Sequence, residues 1–130
     1  MILGIGIDIC DINRLSKTLE RYEKRFEERC FTELERKKCQ RSFSKKNCYA
    51  KRFAAKEATS KALGTGINKG VSWKQIEVEN LKSGKPIINL YGNAKKILES
   101  MSMIFTSPHL KHYILNIIKH LKKWLDLWVK

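Results

Sequence analysis

Three side chains in this 130-residue chain have types and settings that could do chemistry: Asp8, Glu57 and Lys61. Asp8 ends an apolar run, MILGIGID. A carboxylate there loses solvation and needs a cation or hydrogen-bond donors. Phe53, Glu57 and Lys61 are spaced i, i+4, i+8, so on a helix they lie roughly along one stripe. If Asp8 and Glu57 converge, they offer hard oxygen donors. Magnesium takes one or two protein carboxylates and fills its octahedron with water and phosphate oxygens. That arrangement suits phosphoryl chemistry better than a closed structural site. Plainer readings stand beside these. Glu57 and Lys61 could form an i,i+4 pair on a solvated face, worth about 0.3–0.5 kcal/mol. Asp8, like Asp11, could cap the helix that follows. The residues alone leave both pairs of readings open.

The elements that must position these groups are legible from periodicity. Residues 2–9 alternate, with Leu3, Ile5, Ile7 and Ile9 on one side and Gly4, Gly6 and Asp8 on the other, which predicts a strand. The glycine side has no bulk, so another element can approach its backbone. Ile12, Leu15, Leu19, Tyr22 and Phe26 recur at helical steps and predict an amphipathic helix with a charged outer face. Thr32-Glu33-Leu34-Glu35 is a capping box and opens a second, short helix. An Ala-, Lys- and Glu-rich stretch from about Lys45 to Leu63 predicts a third helix, ended by Gly64-Thr65-Gly66. Phe53, Ala50, Ala54 and Ala58 point its stripe toward a core and leave Glu57 and Lys61 at the edge of that packed surface. Gln75 to Leu81 and Pro86 to Tyr91, joined by Lys82-Ser83-Gly84-Lys85, predict a β-hairpin. A helix is expected from about Asn93 to Met103. Beyond Pro108, Leu110, Tyr113, Ile114, Ile117, Ile118, Leu121, Trp124, Leu125 and Trp128 read as a basic amphipathic helix.

Composition narrows the partners. With 27 basic and 13 acidic residues the net charge is +14, which favours anionic ones: nucleic acid, phosphate-rich small molecules, acidic proteins or an anionic membrane. No nucleic-acid reader motif is present, and there is little aromatic interleaving before Trp124, so nucleic acid is not an expected partner. No basic leader or cleavage site marks a signal peptide, and no uncharged apolar run is long enough to span a membrane. Cys10, Cys30, Cys39 and Cys48 form no C-x-x-C pair, which argues against structural zinc. The expectation is a soluble cytoplasmic protein with reduced thiols, Cys10 the most buried of them.

Taken together, several segments are specific. They are Gly6-Ile7-Asp8, Arg14, Phe31-Thr32-Glu33-Leu34-Glu35, Arg52-Phe53-Ala54-Ala55-Lys56-Glu57-Ala58 and Lys61-Ala62-Leu63-Gly64-Thr65-Gly66. In that order and spacing, residues 2–98 resemble the small bacterial 4′-phosphopantetheinyl transferases, the holo-[acyl-carrier-protein] synthases. The hairpin with Trp73, Ile76-Glu77-Val78 and Gly84-Lys85-Pro86 also falls where that family has it. The resemblance implies an α+β fold, a small antiparallel sheet packed with helices. It also implies magnesium-dependent transfer of the 4′-phosphopantetheine arm of coenzyme A to a serine of apo acyl carrier protein. That reaction releases adenosine 3′,5′-bisphosphate and supports fatty acid biosynthesis.

Carried over by motif, Asp8 and Glu57 would hold magnesium on the coenzyme A pyrophosphate. Lys61 would neutralise charge on the phosphates or help the proton leave the serine, and Glu57, directly or through a water, would accept that proton. Gly84, Lys85 and Pro86, with Lys61, would line the coenzyme A site. Arg14 would meet an acidic side chain of the carrier protein, and Arg21 on the same helix is a further candidate for that contact. The family assembles as a homotrimer with its active site between subunits. The chemistry fits these residue types, because displacement at a pyrophosphate phosphorus needs positioning and charge neutralisation more than a covalent enzyme group.

The family's usual ending, a His-x-Ser-x-Ser-His segment within two strands, is absent from residues 101–130. This divides the chain into a transferase domain, 1–103, and a divergent basic amphipathic tail, 104–130. Three accounts of the tail stay open: a helix in place of the C-terminal strands, a shifted reading frame, or a disordered extension. The alternative function is a degenerate, non-catalytic homologue whose tail binds an anionic membrane or nucleic acid.

Overall fold

The structure, a computed structural model, describes residues 4–103, and the tail predicted over 104–130 lies outside them. Helix α1 spans Ile12–Cys30, α2 Glu33–Gln40 and α3 Lys45–Ala62; a 3₁₀ turn at Trp73–Gln75 leads into strand β1, Ile76–Asn80; β2 is Pro86–Leu90 and α4 Gly92–Met103. The architecture is α+β. The two strands pair antiparallel, with Ile76 opposite Leu90 and Asn80 opposite Pro86.

The helix starts have local causes. Asp11 caps α1, its Oδ1 accepting from the backbone N–H of Asn13 at 2.8 Å and of Arg14 at 3.1 Å. The capping box at Thr32 is complete, since Thr32 N–H donates to Glu35 Oε2 at 2.8 Å while Thr32 Oγ1 accepts from Glu35 N–H. Past α3, Gly64 takes φ +74, the left-handed setting that ends a helix and that a side chain would resist.

Two apolar clusters flank α3. One gathers Leu15, Cys30, Phe31, Cys39, Cys48, Tyr49 and Ala50. A run of rings extends it: Phe26 packs against Phe31 and Phe53, and Phe53 stacks on Trp73 with centroids 4.5 Å apart. The other cluster, Leu63, Val71, Ile76 and Ala94, joins the hairpin to α4.

Three expectations need correction. Residues 4–11 form no strand among the described residues, because a strand requires a hydrogen-bonded partner and no described residue pairs with them. The alternation is nevertheless real. Gly4 and Gly6 face α3, whereas Ile5, Ile7 and Ile9 remain 65%, 65% and 60% exposed. The thiols are not all reduced: Cys39 at the end of α2 and Cys48 at the start of α3 form a disulfide, with Cα atoms 5.3 Å apart. Cys10 is half-buried, and the buried free thiol is Cys30, which desolvation pushes up to about 11. In α1, Tyr22 leaves the apolar stripe and is half exposed beneath the Arg21 guanidinium, while Glu27 on the supposed outer face is buried.

Gly6 sits so close to α3 that a Cβ would run into the carbonyl oxygen of Ala58. That obstacle is helix backbone and cannot swing aside. Gly6→Ala should therefore cost about 1–3 kcal/mol, the usual range for overpacking, read as a lowered midpoint in urea. An unchanged midpoint would show that the segment is not seated there.

Glu27 gives a pH prediction. It accepts from Tyr49 Oη at 2.7 Å and pairs with Lys45 at 2.8 Å. Burial alone would raise its pKa, but the Lys45 and Tyr49 hydrogen bonds outweigh it and hold the carboxyl below the ordinary range. A depressed carboxylate stabilises the fold above its unfolded pKa, about 4.3, and loses that contribution as pH falls through the folded value. The stability gap between wild type and Glu27→Gln should be widest at neutral pH and close below about pH 4, as measured by thermal melts across that range.

Candidate active site

Asp8 is placed by the segment before it. With Gly4 and Gly6 laid on the backbone of Ala62 and Ala58, the next even-numbered side chain also faces α3. There Lys61 meets it: Lys61 Nζ donates to Asp8 Oδ1 at 2.6 Å and to the Ile7 carbonyl at 3.2 Å. The Asp8 side chain is 17% exposed and that of Lys61 48%. Because Asp11 is the residue that caps α1, Asp8 is free of the capping role the sequence left open.

Glu57 lies one turn before Lys61 and is half-buried. Its pKa is raised, first by desolvation and then by the nearby negative charge of Asp8, with Lys61 opposing. The hydrogen bond from Lys61 to Asp8 raises the pKa of the ammonium. The bland reading of an i,i+4 pair does not describe these two residues. No ion pair joins Glu57 to Lys61 among the described residues; Lys61 turns toward Asp8 instead. Two carboxylates and one fixed ammonium therefore meet along the seam between the N-terminal segment and α3.

The donor set suits magnesium. Both acids supply hard oxygens, and among the described residues neither Asp8 Oδ2 nor the Glu57 carboxylate carries a hydrogen bond or ion pair. No cluster of three or more ligating side chains occurs among the described residues, so such an ion would take most of its shell from water and phosphate.

The other predicted site residues make no hydrogen bond or ion pair to Asp8, Glu57 or Lys61 among the described residues. Gly84, Lys85 and Pro86 form the hairpin turn, where Gly84 takes φ +81 and Lys85 O accepts from Leu81 N–H at 2.9 Å. Arg14 and Arg21 are exposed on α1.

Sequence reasoning gave Glu35 only its capping-box role and Lys56 none, yet among the described residues these two are the most deeply buried charges. Lys56 and Glu35 are both 0% exposed and pair at 2.7 Å. Lys56 Nζ also donates to the carbonyls of Cys30 at 3.0 Å and Trp73 at 2.9 Å, and Glu35 Oε1 accepts from Val78 N–H at 2.9 Å. Desolvation lowers the Lys56 pKa, and Glu35 opposes it. A signal was present. Arg52, Lys56 and Ser60 are spaced i, i+4, i+8, and all three are buried. A polar stripe in an alanine-rich helix could have been read as facing inward.

Residues 4–117 match the profile of the 4′-phosphopantetheinyl transferase superfamily. The holo-[acyl-carrier-protein] synthase of Rhizobium leguminosarum bv. trifolii is 58% identical over 101 residues, covering 78% of this chain and 75% of its own. That of Neisseria meningitidis, solved by crystallography, is similar in fold at a TM-score of 0.72 and 36% identity, over 78% of this chain and 82% of that one. The Bacillus anthracis enzyme, solved in complex with CoA (3′,5′-ADP), gives a TM-score of 0.63 at 48% identity, over 71% and 78%. By profile, sequence identity and fold, this chain belongs to the 4′-phosphopantetheinyl transferase superfamily, as a member of the holo-[acyl-carrier-protein] synthase family.

Proposed function

We propose that the chain transfers the 4′-phosphopantetheine arm of coenzyme A to a serine of apo acyl carrier protein, in the service of fatty acid biosynthesis. The observation that carries this reading is the convergence of Asp8, Glu57 and Lys61 on one seam, in a chain whose relatives bear that enzyme's name. Asp8 and Glu57 would hold magnesium, which when bound neutralises charge on the pyrophosphate oxygens.

The chain's own residues do the rest. The serine oxygen forms a bond to the β-phosphorus as the bond to adenosine 3′,5′-bisphosphate breaks. Lys61, oriented by its bond to Asp8, offsets the charge that develops on the leaving phosphate. Glu57, directly or through a water, accepts the serine proton. Gly84, Lys85 and Pro86 line the coenzyme A site, and Arg14 and Arg21 meet the acidic carrier protein. A basic surface speeds that encounter.

We assign these roles to residues 1–103, in the cytoplasm, and treat 104–130 as a separate tail. The exposed Ile5, Ile7 and Ile9 beside the seam are consistent with a homotrimer, which light scattering would test. Incubation of the purified protein with apo acyl carrier protein, coenzyme A and magnesium should raise the carrier's mass by roughly 340 Da, the mass of the arm. No mass gain from folded protein, where a control synthase works, would sink the assignment. Among the described residues no helix is long and apolar enough to cross a membrane.

A further inference from the structure

We propose that Lys56, locked to Glu35, is a positioning residue that sets the roll of α3 about its own axis and so places Glu57 opposite Asp8; this rests on the function proposed above. The helix carries three stripes about 100° apart. Arg52, Lys56 and Ser60 form the buried polar stripe. Phe53, Glu57 and Lys61 form the reactive one. Ala54, Ala58 and Ala62 form the third, and the carbonyls of Ala58 and Ala62 abut Gly6 and Gly4. The reactive stripe therefore lies between two surfaces that hold the helix in different ways.

Small apolar contacts tolerate a roll of the helix, because alanine and glycine have no directional preference. The polar stripe does not. Lys56 Nζ has three acceptors from three places in the fold: Glu35 Oε2 on α2, the Cys30 carbonyl at the end of α1 and the Trp73 carbonyl before β1. Glu35 is fixed in turn by the backbone N–H groups of Thr32 and Val78. Rolling α3 would break charge-assisted bonds in a dry site, where none can be replaced by water. A carboxylate stands about 5–6 Å from the helix axis, so a 20° roll moves it about 2 Å. Misplacement by about 1 Å can cost two orders of magnitude in rate. Lys56 itself touches no reacting atom; it acts through its neighbour, Glu57.

The test separates folding from positioning. Wild type, the apolar pair Glu35→Leu/Lys56→Met, and Lys56→Arg are compared for melting temperature and for Mn²⁺ affinity in the presence of coenzyme A, read by electron paramagnetic resonance. The apolar pair keeps the volume and should keep the fold; Lys56→Arg, which keeps a cation beside Glu35 but changes its shape and reach, serves if the pair does not fold. The expected result is Mn²⁺ affinity weaker by about 10–100-fold at a melting temperature near wild type, the usual cost of losing an outer-shell partner. A folded variant that binds Mn²⁺ as tightly as wild type would overturn the proposal. Wild type that neither binds Mn²⁺ nor modifies carrier protein would instead remove the functional reading, and this proposal with it.

Discussion

Asp8→Ala and Glu57→Ala will each lower phosphopantetheine transfer by at least about 10³-fold, at the upper end of the loss for one preorganised electrostatic group, while the protein stays folded. Each substitution removes one of two protein carboxylates from a site that has no third among the described residues. Neither should unfold the chain, because Asp8 and Glu57 are only half-buried and belong to neither apolar cluster. The two should differ in detail. Asp8→Ala also frees Lys61 from its 2.6 Å partner, so the ammonium loses both its orientation and the charge that sustains it. Asp8→Asn retains an acceptor for Lys61 but removes the negative charge. It should therefore be nearly as inactive as Asp8→Ala if charge toward a cation matters, and nearly wild type if only the Lys61 contact matters. Initial rates at limiting magnesium decide this; full rates for both alanine variants would disprove the metal assignment.

The second large effect is on stability. Lys56→Met alone should cost about 3–5 kcal/mol, because it leaves the Glu35 carboxylate buried with no counter-charge. Replacing both partners by apolar side chains should recover most of that loss, since the desolvation penalty disappears together with the attraction. Urea denaturation of the single and double variants measures both. A single variant within about 1 kcal/mol of wild type would mean that Glu35 takes up a proton or finds water, and that the pair is not the dry contact described above.

Much of the fold could be read from the sequence because its signals are local. The Thr32–Glu35 capping box lies within four residues, and the helix periodicities and the Gly84 turn are local too. The N-terminal segment was half legible. Its two-residue period correctly sorted Gly4 and Gly6 from the isoleucines, but a period cannot supply a partner strand. The disulfide was missed because nine residues separate Cys39 from Cys48, and only the packing of α2 against α3 brings them together.

The site was legible in its residue types and ambiguous in its pairing. Lys61 had two acids within plausible reach, and spacing favoured Glu57; the tertiary approach of the N-terminal segment favoured Asp8. The buried charges were the least legible. A lone Lys or Glu in a helix ordinarily means solvent, and the acceptors of Lys56 include carbonyls of Cys30 and Trp73, far away in sequence.

The three stripes of α3 also bear on how such a protein can change over generations. Most surface helices have one face that drifts freely while the other is held by packing. Here the polar stripe, the reactive stripe and the small-residue stripe together occupy most of the circumference through the second half of the helix. Little neutral variation is open to it: a bulkier alanine lifts the N-terminal segment, a lost cation strands a buried acid, and, on the proposed function, a lost carboxylate ends the reaction. Divergence among relatives should therefore accumulate on the outward side of α1 and in the loops, while α3 keeps a similar sequence for the combined sake of three separate constraints.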